Sequence, residues 1–378
     1  MQEMIQNPHG DGRYIPALDG WRAIAILMVI CFHGLHNTDS LNMRWLAQVT
    51  TIAGRIGALG VLVFFAISGF IITSRLYKGS NGGRIHLRSF FIKRAFRILP
   101  AAWVVLLLTA FLGQMHLIPL QRSDWSAPVF LANYFEGSWY TQHFWSLSVE
   151  EHFYVVWPFC ILLAGWRRAI GIGAAIIAGV AIYRPYALRH LPVPVSSPDY
   201  AYLKGRLLSH TEARVDYIMF GGVIALALQF YPAFRRLVAK AGSGMGTWVL
   251  LLLLGVTLLG GRFDTRTLQA GVIALLVCSS SITESFLSHR LLGSRAAVFL
   301  GKISYSIYLW QQLVLADIGI AWYRHPLMLP VKFAVVTAVA YCSYHLLERP
   351  MIRMGRALLD AKFKEGEPSF ATVEAAGL

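Results

Sequence analysis

Two ionisable residues, Arg22 and His33, lie in an otherwise apolar run of the sequence. Eleven residues of α-helix rise about 16 Å in about three full turns, so the two side chains share one stripe of the helix. An ionisable side chain within a membrane span must face protein or a watery cavity, which makes it a candidate functional residue. His33 could therefore act as a general base. The alternative is a histidine that only hydrogen-bonds to a neighbouring helix.

A second group of candidates lies in the segment from Trp145 to Tyr154, which contains two adjacent carboxylates. Ser148 and Glu151 have the spacing of a capping box, which predicts a helix start here and gives Glu151 a structural explanation. Glu150 has no explanation of that kind. Its carboxylate could orient an imidazole, raise the basicity of that imidazole or bind an acceptor hydroxyl. The alternative is simple solvation at the surface.

Basic residues precede the third apolar run of the chain, among them Lys93, Arg94 and Arg97. Residues three apart, such as Arg94 and Arg97, lie about 60° apart on a helical wheel. Such a pair can bind phosphate or pyrophosphate through forked hydrogen bonds, and anchoring to anionic lipid is the alternative. In the second apolar run, Ser68 and Gly69 predict a close approach of two helices or of a narrow ligand.

The elements that carry these residues are predicted from composition. The chain has 378 residues, of which 56% are hydrophobic and 14% are charged, whereas a soluble domain has about 25% charged residues. Apolar stretches recur at about the 20 residues that cross a hydrocarbon core. We therefore predict an all-α, polytopic integral membrane protein with about ten transmembrane helices. A transmembrane domain is expected at 15–355, between an N-terminal segment at 1–14 and a C-terminal tail at 356–378.

The ten expected spans are residues 21–35, 52–74, 98–117, 148–164, 169–183, 217–230, 247–260, 268–282, 298–320 and 327–347. About two thirds of the 34 Lys and Arg residues fall in alternate connecting segments. The positive-inside rule then places both termini in the cytoplasm, together with the dense basic cluster from Arg75 to Arg97. The net charge of +15 follows from this distribution, so no nucleic-acid partner is expected. Residues 184–214 are expected to form an irregular exterior loop.

Motifs of other chemistries are not found. No cluster of His, Asp and Glu has the spacing of a metal site, and neither a P-loop nor a nucleophile elbow occurs. Nucleotide hydrolysis and metal catalysis therefore have no support, and no metal is expected.

Taken in order, the motifs resemble the acyltransferase-3 family. The segments that carry the resemblance are Arg22-x10-His33, Phe65 to Phe70, Arg94-x-x-Arg97 before Leu99-Pro100, Trp145 to Tyr154, Gly301 to Trp310, and Leu347 to Pro350. The resemblance extends from about residue 15 to about residue 355. One departure follows Trp310, where family members often have histidine and this chain has Gln311 and Gln312. A stand-alone member is expected, without the hydrolase-like domain that is fused to some members.

The resemblance implies a multi-pass enzyme of the bacterial inner (cytoplasmic) membrane. Such an enzyme moves an acyl group, usually acetyl, from cytoplasmic acyl-CoA to a hydroxyl of an extracytoplasmic glycan or another small acceptor. Acetyl-CoA, or another acyl-CoA, is the expected donor, and the lipid bilayer is the expected surroundings. The family's histidine and arginine correspond to His33 and Arg22, its basic pair to Arg94 and Arg97, and its acidic motif to Glu150 and Glu151.

We therefore predict a transmembrane O-acyltransferase. Phosphates of coenzyme A would be held by Arg22, Lys93, Arg94 and Arg97. His33 would take the proton of the acceptor hydroxyl, or alternatively would accept the acyl group itself. Glu150, with Glu151 as the second choice, would orient His33 or the acceptor. Contacts to the substrate are expected from Ser68, Trp145 and Tyr154.

Two other functions are compatible with the same residues. The first is a secondary transporter that exports a glycan precursor or an anion, with His33 and Glu150 as a proton relay. The second is a membrane scaffold without chemistry, which leaves the ionisable residues of buried helices without a purpose.

Overall fold

All regular secondary structure in the described part of the chain is helical. The structure is a computed structural model, and it describes residues 14–36, 44–80, 85–258, 264–283, 290–317, 323 and 325–366. The all-α prediction is confirmed for these residues. Most of the expected N-terminal segment at 1–14 and part of the expected tail at 356–378 lie outside the described residues, and residues 356–366 belong to a helix.

Fourteen α-helices are described, and they are numbered here in chain order. They are α1 (Pro16–His36), α2 (Arg44–Lys78), α3 (Leu87–Gln114), α4 (Trp139–Gln142), α5 (Phe144–Ala164), α6 (Trp166–Arg189), α7 (Tyr200–Leu207), α8 (Val215–Phe230), α9 (Pro232–Ala241), α10 (Gly244–Leu258), α11 (Arg266–Ser279), α12 (Arg295–Leu315), α13 (Leu329–Ser343) and α14 (Arg349–Gly366). A π-helical turn, Tyr344–Glu348, joins α13 to α14.

Six helical segments within the described residues are long and apolar enough to cross a membrane. They are Pro16–Leu35, Ile52–Lys78, Leu87–Gln114, Trp139–Ala164, Trp166–Arg189 and Leu329–Ala361. Helices α9 and α10 meet at a bend of 77° and add a seventh if they form one broken span. The chain is thus a multi-pass membrane protein, but the expected count of about ten spans and the side of the termini stay predictions.

Two short apolar helices account for part of the difference in count. Helices α8 and α11 contain 16 and 14 residues, which rise about 24 Å and about 21 Å and so fall short of a hydrocarbon core of about 30 Å. Eleven of the 16 residues of α8 are buried within the protein. Hydrophobicity in this helix therefore reflects contact with protein as well as the membrane.

Glycines set the closest helix contacts of the bundle. Helix α1 packs against α2 and α12, and α2 also packs against α8. A Cβ atom added to Gly301 of α12 would overlap the backbone carbonyl of Asp19 in α1. One added to Gly69 of α2 would overlap the carbonyl of Ile218 in α8. Close helix packing therefore accounts for Gly69, which leaves the neighbouring Ser68 to be explained by the site.

Two local predictions are wrong. Helix α5 begins at Phe144, so Ser148 lies inside the helix, where its Oγ donates to the Phe144 carbonyl at 2.9 Å and caps nothing. The expected exterior loop at 184–214 is also partly helical, because α6 extends to Arg189 and α7 follows. Arg184 within this stretch is fully buried and pairs with Asp216 at 2.5 Å, a long-range contact that local sequence patterns do not reveal.

Candidate active site

Five of the predicted site residues line one cavity at the centre of the bundle. The central cavity has a volume of about 100 Å³ and is enclosed by α1, α2, α3, α5 and α12. The predicted residues in its lining are Arg22, Ser68, Arg94, Arg97 and Glu150. The helices thus bring together motifs that are scattered along the chain.

Glu150 is held at the cavity wall by two hydrogen bonds and an ion pair. Ser68 Oγ donates to Glu150 Oε2 at 3.1 Å, and the Tyr154 hydroxyl donates to the same oxygen. Arg94 Nη2 lies 3.6 Å from this oxygen. Because Tyr154 is buried behind the carboxylate and is absent from the lining, it supports Glu150 from outside the cavity.

Arg94 is compensated by two carboxylates and an aromatic ring. Its Nε lies 3.9 Å from Glu151 Oε1, and its Cζ lies 3.3 Å from the centroid of the Tyr154 ring. Glu151 does not line the cavity. The structure therefore distinguishes the two adjacent glutamates: Glu150 faces the cavity, whereas Glu151 contacts Arg94 outside the lining.

The cavity wall carries more positive than negative charge. Four basic side chains line it, namely Arg22, Arg94, Arg97 and Lys302, against the single carboxylate of Glu150. Arg22 donates to Asp19 Oδ1 at 2.9 Å. In the described part of the chain no carboxylate lies within 4 Å of the Arg97 guanidinium, although Glu348 is near enough to interact with it electrostatically. A cavity with this balance is suited to a polyanion.

Lys302 is a cavity residue that the sequence analysis did not select. It follows Gly301, whose contact with Asp19 brings α12 against α1. An ionisable side chain in an apolar segment was the signal that singled out His33, and the same signal could have found Lys302. Lys93, which was expected to bind phosphate, is exposed and is not part of the lining.

His33 lies near the C-terminal end of α1, outside the lining of the central cavity. Its Nδ1 lies 3.2 Å from Oε1 of Gln311 in α12, and the Trp139 ring stands edge-on to the imidazole with 5.7 Å between centroids. Arg22 and His33 thus both lie beside α12, as expected for side chains on one stripe of α1. The oxygen found beside the imidazole belongs to a carboxamide, where a carboxylate was expected.

A second histidine, His143, has the same kind of partner. Its Nδ1 lies 3.0 Å from Oε1 of Gln312, and both side chains are buried. The backbone carbonyl of His143 accepts from the Tyr308 hydroxyl at 2.7 Å, and that hydroxyl lies 2.6 Å from Ser146 Oγ. Because Tyr308 and Ser146 line the cavity, hydrogen bonds connect the cavity to this pair.

His143, Gln311 and Gln312 were missed as site residues. The two glutamines were noticed only as a departure from the resembled family. Their partners come from α1 and from the turn before α5, which are far away in the sequence. Nothing in the spacing of the motifs indicates that each glutamine faces a different histidine.

Trp145 also lies outside the cavity lining. Its ring packs edge-on against Phe65, with 6.2 Å between centroids, and the Arg214 guanidinium lies 5.1 Å from it. Within the described residues, no group of three or more His, Cys, Asp or Glu side chains is arranged to hold a metal ion.

Comparisons with known proteins agree with the resemblance. The sequence profile of a family described as "Acyltransferase domain" matches residues 15–345. A provisionally named O-acetyltransferase of Staphylococcus aureus (strain COL) is 29% identical over 375 residues, which cover 91% of this chain and 58% of that protein. No solved structure matches the chain.

Two further relatives carry names that specify peptidoglycan. A provisionally named peptidoglycan O-acetyltransferase of Bacillus subtilis (strain 168) is 27% identical over 383 residues, covering 91% of this chain and 56% of that protein. The peptidoglycan O-acetyltransferase of Listeria monocytogenes (strain EGD-e) is 24% identical over 328 residues, covering 79% and 49%. The chain therefore spans less than two thirds of the length of these relatives.

Proposed function

Because the chain belongs to the acyltransferase family whose profile it matches, we propose that it is a membrane O-acyltransferase, and specifically an O-acetyltransferase. The donor is acyl-CoA from the cytoplasm, and the acceptor is a hydroxyl of an extracytoplasmic glycan or another small molecule. The relatives named for peptidoglycan support a cell-wall glycan as the acceptor class. The proposed location is the bacterial inner membrane.

The observation that carries this proposal is the charge of the central cavity. Arg22, Arg97 and Lys302 offer several N–H donors to an anion, while Arg94 is shared with two carboxylates. Phosphate and pyrophosphate are the groups that such donors bind through charge-assisted hydrogen bonds. Coenzyme A carries these groups at one end and its thioester at the end of a long flexible arm, so its phosphates can lie here while the acyl group extends further.

The long arm of coenzyme A is required because His33, the expected base, is distant from the basic residues of the cavity. Arg22 and His33 are separated by about 16 Å along α1. Phosphates bound near Arg22 therefore leave the thioester to reach the other end of the helix, where His33 contacts Gln311. The donor thus crosses part of the membrane while its nucleotide end stays on the cytoplasmic side.

The transfer step follows from this placement. His33 Nε2 takes the proton of the acceptor hydroxyl while the hydroxyl oxygen forms a bond to the thioester carbon. The C–S bond then breaks, its electron pair stays on sulfur, and the imidazolium returns the proton to the thiolate. The products are the O-acyl ester and free coenzyme A. Glu150, fixed by Ser68 and Tyr154, would bind the donor or the acceptor within the cavity.

The experiment compares wild type with His33→Gln in lipid nanodiscs. Release of free thiol from acetyl-CoA and acetylation of muropeptides are measured together, the latter by mass spectrometry. Glutamine cannot take up a proton at neutral pH, so the rate should fall roughly 10²- to 10⁴-fold. The affinity for acetyl-CoA should hardly change, because the phosphates bind at the other end of α1.

Three outcomes are decisive. Wild-type activity in the His33→Gln variant would remove His33 from the mechanism. Absence of thiol release and acetylation in wild type, across muropeptides and simple sugars, would contradict the proposed function. Movement of an anion or a glycan without acyl-CoA would favour the transporter instead.

A further inference from the structure

Gln311 is an unusual residue at the His33 end of α1. Its side chain is fully buried, and its Oε1 lies 3.2 Å from His33 Nδ1. The other end of the same carboxamide, Nε2, is buried and makes no hydrogen bond to any residue that the structure describes. Leaving a buried donor unsatisfied is destabilising. A glutamine kept at this cost beside the expected base needs an explanation beyond packing.

The oxygen of the carboxamide determines the protonation form of the imidazole. An amide oxygen only accepts hydrogen bonds, so a bond from Nδ1 to Oε1 puts the ring proton on Nδ1. The lone pair is then on Nε2, which is the form that can take a proton from an acceptor hydroxyl. The opposite orientation of the amide would put the ring proton on Nε2 and would block this base. The proposed function therefore requires Oε1 to face His33.

With the oxygen used in this way, the buried N–H groups of Gln311 are left without an acceptor among the described residues. We propose that Gln311 Nε2 donates a hydrogen bond to the carbonyl oxygen of the thioester as negative charge develops there. This inference rests on the proposed function. When the acceptor oxygen attacks, the C=O π pair moves onto that carbonyl oxygen, and it returns to the carbon as the C–S bond breaks. Gln311 would thus be a catalytic residue that stabilises the oxyanion, in addition to a positioning residue for His33.

Gln312 lacks the buried, unsatisfied N–H donor that carries this inference for Gln311. Its Oε1 lies 3.0 Å from His143 Nδ1, and its backbone carbonyl accepts from Trp139 Nε1 at 3.0 Å. Its Nε2 is not among the buried side-chain atoms that lack a hydrogen bond within the described chain. Gln312 therefore orients neighbouring side chains, whereas Gln311 alone of the pair combines a contact to the expected base with an unused donor.

The test compares Gln311→Glu and Gln311→Met with wild type. Glutamate keeps an oxygen acceptor for His33 Nδ1–H but removes both N–H donors, and methionine removes the acceptor as well at similar volume. Transfer of acetyl from acetyl-CoA to muropeptides is measured from pH 5 to 9 in nanodiscs. The rate of Gln311→Glu on its pH plateau should fall 10²- to 10³-fold, as for loss of one oxyanion donor. Gln311→Met should fall at least as far, with KM for acetyl-CoA unchanged in both.

A purely positioning role gives a different result. A carboxylate beside His33 favours the imidazolium, so the rate would reach its plateau at a higher pH. A Gln311→Glu variant that reaches the wild-type plateau rate, only at a higher pH, would overturn the inference. A Gln311→Met variant with the wild-type rate would overturn it as well. If the buried glutamate prevents folding, the methionine variant keeps the inference falsifiable, because a wild-type rate without any N–H donor at this position would contradict it.

A remote glutamine provides the matched control. Gln269→Glu makes the same chemical change in α11, where the Gln269 amide donates to the Thr257 carbonyl at 3.1 Å, and transfer should be unchanged. The failure of the inference can be told from failure of the proposed function. If wild type transfers acetyl and the Gln311 variants match it, only the inference is wrong. If wild type shows no transfer dependent on acyl-CoA, the proposed function itself is wrong.

Discussion

At the scale of single residues, the two adjacent glutamates have different surroundings. Glu150 lines the cavity and accepts from Ser68 and Tyr154, whereas Glu151 contacts Arg94 outside the lining. We predict that Glu150→Gln lowers the transfer rate by about 10²-fold or more, since the carboxylate would be lost from the cavity in which the donor or the acceptor binds. Glu151→Gln should reduce the rate by less than about 10-fold, because Glu150 still compensates Arg94. Steady-state rates of the two variants check this order, and the reverse order would contradict it.

The basic residues of the cavity lead to a second prediction. Arg97→Gln and Lys302→Gln should each weaken acetyl-CoA binding by roughly 10- to 150-fold, since a hydrogen bond between charged groups contributes about 1.5–3 kcal/mol. Lys93→Gln should have a much smaller effect because the Lys93 side chain is exposed and away from the lining. Isothermal titration in detergent measures the three affinities.

A donor that lacks the phosphate-bearing nucleotide of coenzyme A provides the control for this prediction. Acetyl-pantetheine has the same thioester and arm but lacks the pyrophosphate and the adenosine phosphate. The penalties at Arg97 and Lys302 should disappear with this compound if both residues bind phosphate. Equal penalties for both donors would show that the substitutions act through packing of the bundle.

The sequence predicts the residue types of this site better than its contacts. Arg22, Arg97 and Glu150 stand out because charges in apolar runs are costly and need a reason. His143 and Gln311 are recognisable only after α12 is placed beside α1 and the turn before α5. Which hydrogen bond a glutamine makes is decided by the packing of distant helices, and no periodicity within one helix carries that information.

At the scale of elements, the contact between α1 and α12 positions both ends of the site. Gly301→Ala should force the helices apart, because the new Cβ would overlap the rigid backbone at Asp19. Arg22 and Lys302 would then both move, so we expect a loss of about 1–3 kcal/mol in stability together with weaker binding of acetyl-CoA. Thermal unfolding in detergent and titration with acetyl-CoA measure the two effects.

Gly171 in α6 is the matched control for Gly301. A Cβ at this position would meet nothing within 4 Å, and alanine is favoured over glycine within a helix by roughly 0.5–1 kcal/mol. Gly171→Ala should therefore leave binding unchanged and stability equal or slightly higher. An equal loss in both variants would mean that the close contact of α1 with α12 is not what the alanine at Gly301 disturbs.

The sequence predicts that helices are present more reliably than it predicts where they begin and end. Helices α5 and α6 show why. Helix α5 starts one turn before the apparent capping box, because Ser148 bonds to a carbonyl of the preceding turn. Helix α6 continues past Tyr183 because Arg184 has a buried partner in Asp216 and also donates to the Ala213 carbonyl at 2.8 Å. Hydropathy counts such an arginine as an end of the span, whereas the folded protein neutralises it.

At the scale of the whole molecule, the topology is open to a direct test. Three long helices, α3, α5 and α6, lie between Gly79 and Pro198. If each crosses the membrane once, the two positions are on opposite sides. A reporter inserted at residue 79 should report the cytoplasm, where the positive-inside rule puts the basic cluster, and one at residue 198 should report the exterior. Two reporters on one side would mean that one of these helices does not cross.

The pairing of α1 with α12 also has a consequence for how the protein is made. Helix α1 leaves the ribosome long before α12, because the helix that covers Arg22 and His33 begins only at Arg295. At about 5–20 residues per second, the wait lasts on the order of tens of seconds. During this interval the polar stripe of α1 needs a temporary neighbour, such as a membrane insertase. Stalled nascent chains that end before Arg295 should therefore crosslink to the insertion machinery through α1, and chains stalled well beyond Leu315 should lose that crosslink.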